Sequence, residues 1–220
     1  MLKIYGTPLS TPTNKVRYVA NYLGIPYEFH RVNLAAGDQR QPEFQRINPL
    51  GKVPAINDDG FTLGESNAII RYLADKNQST IYPKVLQERA IVDQWLDYVS
   101  QHITIAISKI MYNTYFYQLL NTEKDERSLQ DGRHFLTQYL PVIEKQLSLH
   151  DNIINKKLTL VDFALVATLD VAELSHVDLT SFPHLKAWQK KMMSESFYTQ
   201  CHESYTSSFN NIMENMKSKV

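Results

Sequence analysis

Apolar residues recur at two different spacings along the chain, and the change between them falls near Pro83. Before it, elements are short. Lys3-Ile4-Tyr5 reads as a strand, Gly6 to Pro12 as a loop, and Val16, Val19, Ala20 and Leu23 recur at helical spacing until Gly24 supplies a stop. Tyr27 to Val32 alternates like a half-buried strand, so the first two strands should run parallel through a right-handed crossover. Pro42-Glu43-Phe44 opens a helical turn, with proline at the tolerated first position. Val53 to Ile56 and Phe61 to Leu63 flank Asn57-Asp58-Asp59-Gly60, whose Asp-Gly end favours a hairpin, and Glu65 to Asp75 is a helix. A proline entering the third strand suits an edge position.

After Pro83 the period is helical throughout. A long amphipathic helix runs from Glu88 toward Tyr117, and a second, interrupted at Pro141, covers Arg133 to Leu149. Thr159-Leu160-Val161-Asp162 has the hydroxyl-x-x-acid layout of a capping box before the apolar run Phe163 to Leu169. Pro183 opens a helix carrying Leu185 and Trp188, and the tail Tyr205 to Met216 has a weaker helical pattern. Six of seven glycines and six of nine prolines fall within the first 64 residues, which separates a turn-dense part from a breaker-poor one. The expectation is an α+β protein: residues 1–78 in the order βαβαββα of a thioredoxin-like domain, a linker near Asn77 to Lys84, then an all-α bundle over 86–220.

Composition narrows the function classes. Lysine plus arginine and aspartate plus glutamate balance at 23 each, so no basic footprint for nucleic acid or an anionic membrane is present. No apolar run approaches the roughly 20 residues of a membrane span, and the N-terminus lacks the layout of a secretory signal. The single cysteine, Cys201, excludes an intrachain disulfide framework and a Cys-x-x-Cys pair. His30, His102 and His184 show no metal-ligand spacing, so no metal is expected. These features point to a neutral cytoplasmic protein.

Four stretches, "GTPLSTPTNKVRY", "PEFQRINPLGKVPAINDDGFTLGESNAIIRYLA", "LTLVDFAL" and "FPHLKAWQKKM", together resemble the cytosolic glutathione transferases over nearly the whole chain. The second is the most specific, because it combines asparagine-proline, a Val-Pro loop, a hairpin and a Glu-Ser helix start in that order. A hydroxyl in the first stretch resembles the serine-using, phi- and theta-like classes; Tyr5 lies near the position used by tyrosine classes but reads as a strand residue. Glutathione as co-substrate, a small apolar electrophile as second substrate and a two-fold dimer are what the resemblance implies. The alternatives are glutathione-dependent peroxidase, disulfide reductase or isomerase chemistry, or a member that binds without catalysis.

Residue by residue, Ser10 matches the family serine whose hydroxyl donates to the glutathione sulfur; by itself a serine before a helix is more often a cap. Thr11 is its rival as donor. The resemblance implies a cis bond at Val53-Pro54, with the Val53 backbone paired to the cysteinyl backbone of glutathione as an added strand would be. It assigns the γ-glutamyl carboxylate to Ser66, at a helix N-terminus suited to an anion, and the α-amine to Glu65. Without it, Glu65 only complements the dipole from the first helical turn. Lys52 is placed for the glycyl carboxylate, with Gln39 and Arg40 matching a pair that reaches the same group. Thr159 and Asp162 are structural. The electrophile is expected between the domains, near Leu9 and an aromatic helix end carrying Tyr112, Tyr115 and Phe116.

Overall fold

The computed structural model describes residues 1–209, and of Leu119 the backbone alone. Four strands, β1 (Leu2–Gly6), β2 (Tyr27–Arg31), β3 (Ala55–Asp58) and β4 (Phe61–Leu63), form one sheet in the order β2-β1-β3-β4. β1 lies parallel to β2 and antiparallel to β3, and β4 returns antiparallel along β3. Between β3 and β4, Asp59 and Gly60 have φ of 50° and 98°. Positive φ at both turn positions matches the right-handed twist of the strands it joins, which explains Asp-Gly there.

Alternation along the strands sorts side chains to two faces. Leu2 and Ile4 of β1 and Ile56 of β3 join Val16, Val19, Ile69, Ile70 and Leu73 in the main core. Those partners come from α1 (Thr11–Tyr22) and α3 (Ser66–Lys76), which pack on that face. On the other face Ala55, Val32 and Phe44 of the short α2 (Pro42–Gln45) form a small cluster with Tyr5, Ile47 and Val53. This is a thioredoxin-like sheet domain followed by an all-helical one.

The helical part differs from expectation in two places, and a third expectation is described only in part. A first helical run comprises α4 (Leu86–Tyr98), α5 (Thr104–Met111) and α6 (Tyr117–Leu119), joined by π-helical turns at Val99–Ile103 and Tyr112–Phe116. Hydrophobic period alone does not register a single extra residue per turn. Next, α7 (Glu126–Leu149) starts earlier than Arg133 and passes through Pro141 without a break. A mid-helix proline costs about 3 kcal/mol, but Leu136, Leu140, Ile143 and Leu147 bury one stripe of the helix at about 2 kcal/mol each. Burial wins. Lastly, only residues 205–209 of the expected tail helix are described, and they are helical; the remainder of Tyr205 to Met216 lies outside the described residues.

One strand of the sheet domain also departs from expectation, in its start and in its place in the sheet. β3 begins at Ala55 rather than Val53 and is an interior strand, not an edge. Pro54 stands one residue before the ladder, so its missing N–H removes no sheet hydrogen bond.

Helices α8 (Leu160–Leu169), α9 (Pro183–Ser194) and α10 (Ser196–Thr199) complete the fold. The capping box at α8 is formed: Asp162 accepts from the Thr159 N–H at 2.8 Å and the Thr159 hydroxyl at 3.1 Å. Its second oxygen accepts from the Ile153 N–H at 3.1 Å, tying in the preceding loop. Burial raises this carboxyl to about 6 against those hydrogen bonds. Because two backbone donors would be left buried and unpaired, Asp162→Ala should lower the unfolding free energy by about 3 kcal/mol. Urea denaturation at pH 7 checks this; a loss under about 0.5 kcal/mol would contradict the capping role.

Candidate active site

Helix α1 begins where β1 ends, and the connection is tight. A Cβ on Gly6 would stand 2.4 Å from the Thr13 side chain, so only glycine lets the strand end approach the helix this closely. The chain then turns, with the Ser10 N–H on the Thr7 carbonyl at 3.1 Å. Ser10 is the N-cap of α1: its Oγ accepts from the Thr13 N–H at 3.3 Å. Thr11 is the first helical residue and the buried Thr13 hydroxyl has no hydrogen-bond partner among the described residues, so of the three hydroxyls Ser10 is the cap. A cap uses the oxygen's lone pair and leaves its proton free to donate. Capping and proton donation are therefore compatible at Ser10.

Beside Ser10 lies a cavity of about 310 Å³ between the two domains. Leu9, Ser10 and Thr11 form one wall, and Ile107, Met111, Tyr112, Phe116 and Phe209 form the other. Of the aromatic residues expected there, Tyr112 and Phe116 line it. Tyr115 does not; its ring packs against Phe209, centroids 6.0 Å apart. Tyr112 and Phe116 are four residues apart and share a face within the π-helical turn, whereas Tyr115 projects to the side.

A second, more polar cavity of about 190 Å³ adjoins the first, sharing Thr11, Pro12, Thr104 and Thr168 as lining. The hydroxyls of Thr104 and Thr168 lie 3.0 Å apart at this shared wall. Glu65, Ser66, Asn67 and Lys15 line the rest, together with Ser100 and Gln101. Ser66 is the first residue of the eleven-residue α3, whose N-terminus has no side-chain cap, so its amide groups are available to an anion. Glu65 is the N-cap residue rather than part of the first turn, at φ 61°, ψ 106°. For a residue with a Cβ such a conformation costs about 1–3 kcal/mol and is characteristic of functional sites.

Lys15 was not among the residues singled out from the sequence. Its side chain is buried, and Nζ donates to Asn67 Oδ1 at 2.6 Å, while Asn67 Nδ2 donates to Ser100 Oγ at 2.8 Å. Burial lowers its pKa to about 7, helped by the Arg71 guanidinium and opposed by Glu65. A lysine at helical spacing in a polar stretch carries no signal of burial. Only the packing of α3 against α1 puts it beside Glu65 and Ser66.

The remaining expected residues stand outside both cavities. The Val53–Pro54 bond is cis. Asn48, buried, shapes the approach to it: Nδ2 donates to the Lys52 carbonyl at 2.7 Å and Oδ1 accepts from the Leu50 N–H at 3.2 Å. Lys52 and Arg40 are exposed; Gln39 is half-buried, with Nε2 on the Leu34 carbonyl at 3.4 Å. Among the described residues, no group of three or more His, Cys, Asp or Glu side chains is placed to hold a metal ion, and no helix is long and apolar enough to cross a membrane.

Two family models and several known proteins match the chain. The family described as "Glutathione S-transferase, N-terminal domain" matches residues 4–80, and "Glutathione S-transferase, C-terminal domain" matches residues 90–196. The chain is 29% identical to glutathione S-transferase F10 of Arabidopsis thaliana, covering 94% of this chain and 98% of that protein. It is 31% identical to glutathione S-transferase D7 of Drosophila melanogaster, covering 86% and 83%. Glutathione transferase F7 of Populus trichocarpa superposes with a TM-score of 0.84 at 28% identity, covering 93% of this chain and 99% of that one.

The buried amine yields a prediction independent of any ligand. In the unfolded chain a lysine keeps its proton to about pH 10.4, whereas in the fold Lys15 releases it near 7. Between those values the unfolded state binds more protons, so rising pH stabilises the fold at this site. Lys15→Met should therefore be the more stable protein at pH 7, and its advantage should shrink by on the order of 2 kcal/mol between pH 7 and 9. A gap that stays constant across that window in urea denaturation would show that Lys15 is not titrating there.

Proposed function

Because the chain belongs to the glutathione S-transferase family, we propose that it activates the glutathione thiol at Ser10 and directs the thiolate at small apolar electrophiles in the neighbouring cavity. The observation that carries this reading is the position of Ser10. It caps α1 while lining a largely apolar cavity that abuts the polar one holding Lys15, Glu65 and Ser66. The tripeptide's γ-glutamyl end then belongs in the polar cavity, with its carboxylate toward the N-terminus of α3 and the Lys15 ammonium, and its α-amine toward Glu65. Val53, preceding the cis proline, would pair with the cysteinyl backbone, and Lys52, Gln39 and Arg40 would face the glycyl carboxylate from the exposed side. We assign glutathione recognition to residues 1–78 and the electrophile wall to residues 86–220. The serine-using, phi-like class is the fitting one, and a two-fold dimer the fitting assembly.

Chemically, the thiol begins with a pKa near ~8.5, so only a few per cent is ionised at pH 7. The Ser10 proton and the positive end of α1 lower it by stabilising the anion. The thiol proton passes to solvent, and sulfur attacks the electrophilic carbon. With 1-chloro-2,4-dinitrobenzene a C–S bond forms and the C–Cl bond breaks, chloride leaving with the electron pair. Disulfide chemistry by the protein itself has no support, since Cys201 is buried against the Phe197 carbonyl, away from both cavities.

Removing the Ser10 hydroxyl should cost about 100-fold in kcat/KM with this substrate, the range for a single preorganised donor to a developing anion. Thr11→Ala should cost less than about threefold, since Thr11 sits inside the helix. The reverse ranking in steady-state assays would transfer the role to Thr11.

A further inference from the structure

A route from the C-terminal segment to the Ser10 loop runs through one buried asparagine. Asn14, in the first turns of α1, is fully buried. Its Nδ2 donates one hydrogen to the Pro8 carbonyl at 2.8 Å and the other to the Tyr205 hydroxyl at 2.9 Å. Its Oδ1 accepts from Arg17 Nη1 at 3.3 Å, so the amide is fully engaged and its rotation is set. Pro8 lies two residues before Ser10, inside the turn that the Ser10 N–H closes on Thr7. Tyr205 is thus one hydrogen-bonded side chain away from the backbone that aims the Ser10 hydroxyl.

Tyr205 is itself held from elsewhere. The residues before it dock on α1: Asn21 Nδ2 donates to the Phe197 carbonyl at 2.9 Å, and the Tyr198 ring packs on that of Tyr18, centroids 5.0 Å apart. Tyr18 of α1 closes the arrangement by donating to Asp170 at 2.6 Å. One helical turn beyond Tyr205, Phe209 lines the same cavity as Ser10 and packs on Phe116, centroids 5.5 Å apart. Residues four apart share a helix face, so one short segment touches the loop at one end and the electrophile wall at the other.

We propose that Tyr205, through Asn14, is a positioning residue for the Ser10 hydroxyl, which makes the 205–209 segment part of the thiol-activating apparatus. The proposal rests on the reading of Ser10 as the hydroxyl that meets the thiol. Without the Tyr205 oxygen, an Asn14 N–H loses its partner inside the protein. Asn14 then turns or shifts, its hold on the Pro8 carbonyl weakens, and the Ser10 proton points less well at sulfur. Glutathione itself binds on other residues. The deficit should therefore fall on turnover and on the acidity of the bound thiol, and not on affinity.

The test uses the full-length protein and three substitutions. Tyr205→Phe should lower kcat with 1-chloro-2,4-dinitrobenzene about tenfold, as expected of a small misplacement of a reacting group. It should raise the pKa of enzyme-bound glutathione, read from thiolate absorbance near 240 nm, by roughly one unit. Binding of S-methylglutathione should be unchanged. Tyr198→Phe is the matched control: it removes another buried tail hydroxyl, one that faces Asp170 and Tyr18 and is not among the hydrogen-bond partners of Asn14, and should leave the bound-thiol pKa unchanged. In a Ser10→Ala background, Tyr205→Phe should add little further loss. An unchanged thiol pKa in Tyr205→Phe alongside an impaired Ser10→Ala would overturn the positioning role alone. Equal losses from Tyr205→Phe and Tyr198→Phe, or full additivity with Ser10→Ala, would also overturn it by showing loosened packing. If Ser10→Ala itself leaves turnover and thiol pKa intact, the reading of Ser10 fails, and the positioning role with it.

Discussion

Helix α1 carries asparagine, lysine and arginine side chains into the interior, and much of the molecule is arranged around satisfying them. Residues Thr13 to Ala20 are all buried, with the sheet and α3 on one side and α8 and α10 on the other. A polar group taken from water without a partner costs about 1–3 kcal/mol, more for a charge. Each therefore recruits a partner from a different part of the chain. Asn14 takes Tyr205, Lys15 takes Asn67 of α3, and Tyr18 takes the end of α8 at Asp170. Arg17 lies over the Phe29 ring of β2 at 4.3 Å from its centroid.

The helix that must be matched on every side is also the one whose N-terminus holds Ser10. Burying it at the junction of two domains locates a proton donor at their boundary. The sheet domain contributes the N-terminus of α3 and the strained Glu65; the helical domain contributes an apolar wall. The shared lining at Thr11, Pro12, Thr104 and Thr168 brings the polar and apolar cavities together, which is what the proposed reading asks of a ligand with one polar and one reactive end. Burial has a cost there. Lys15 and Asp170 are each driven toward neutrality, with pKa values displaced to about 7 from opposite directions. Lys15 lines the polar cavity and Asp170 lies outside both, so burial in the interior is the common cause of the two displacements.

Most of the fold was legible from local signals. Pro42 and Pro183 at helix starts, Asp59-Gly60 between strands and the Thr159–Asp162 box each act over a few residues, and each stands where its chemistry requires. Pro141 misled for the same reason. Its local effect is to break a helix, but burial of neighbouring leucines is a sum over the whole of α7. The π-helical turns escaped detection because one inserted residue barely alters an apolar period, although it decides that Tyr112 and Phe116 face the cavity and Tyr115 does not.

In the candidate site, residue type and spacing marked Ser10, Glu65 and Ser66 only as helix starts, and the family resemblance gave them their expected roles. Lys15, Asn14 and Tyr205 were not. Asn14 and Tyr205 are 191 residues apart, and Lys15 meets Asn67 across 52. The sequence by itself determined which elements form, in what order, and which of their ends carry a hydroxyl or an acid, since those choices are made by neighbouring residues. Only the tertiary structure decided which polar side chains on α1 are buried and what each one meets. Those pairings depend on how helix faces far apart in the chain pack together, and many such faces share the same local pattern.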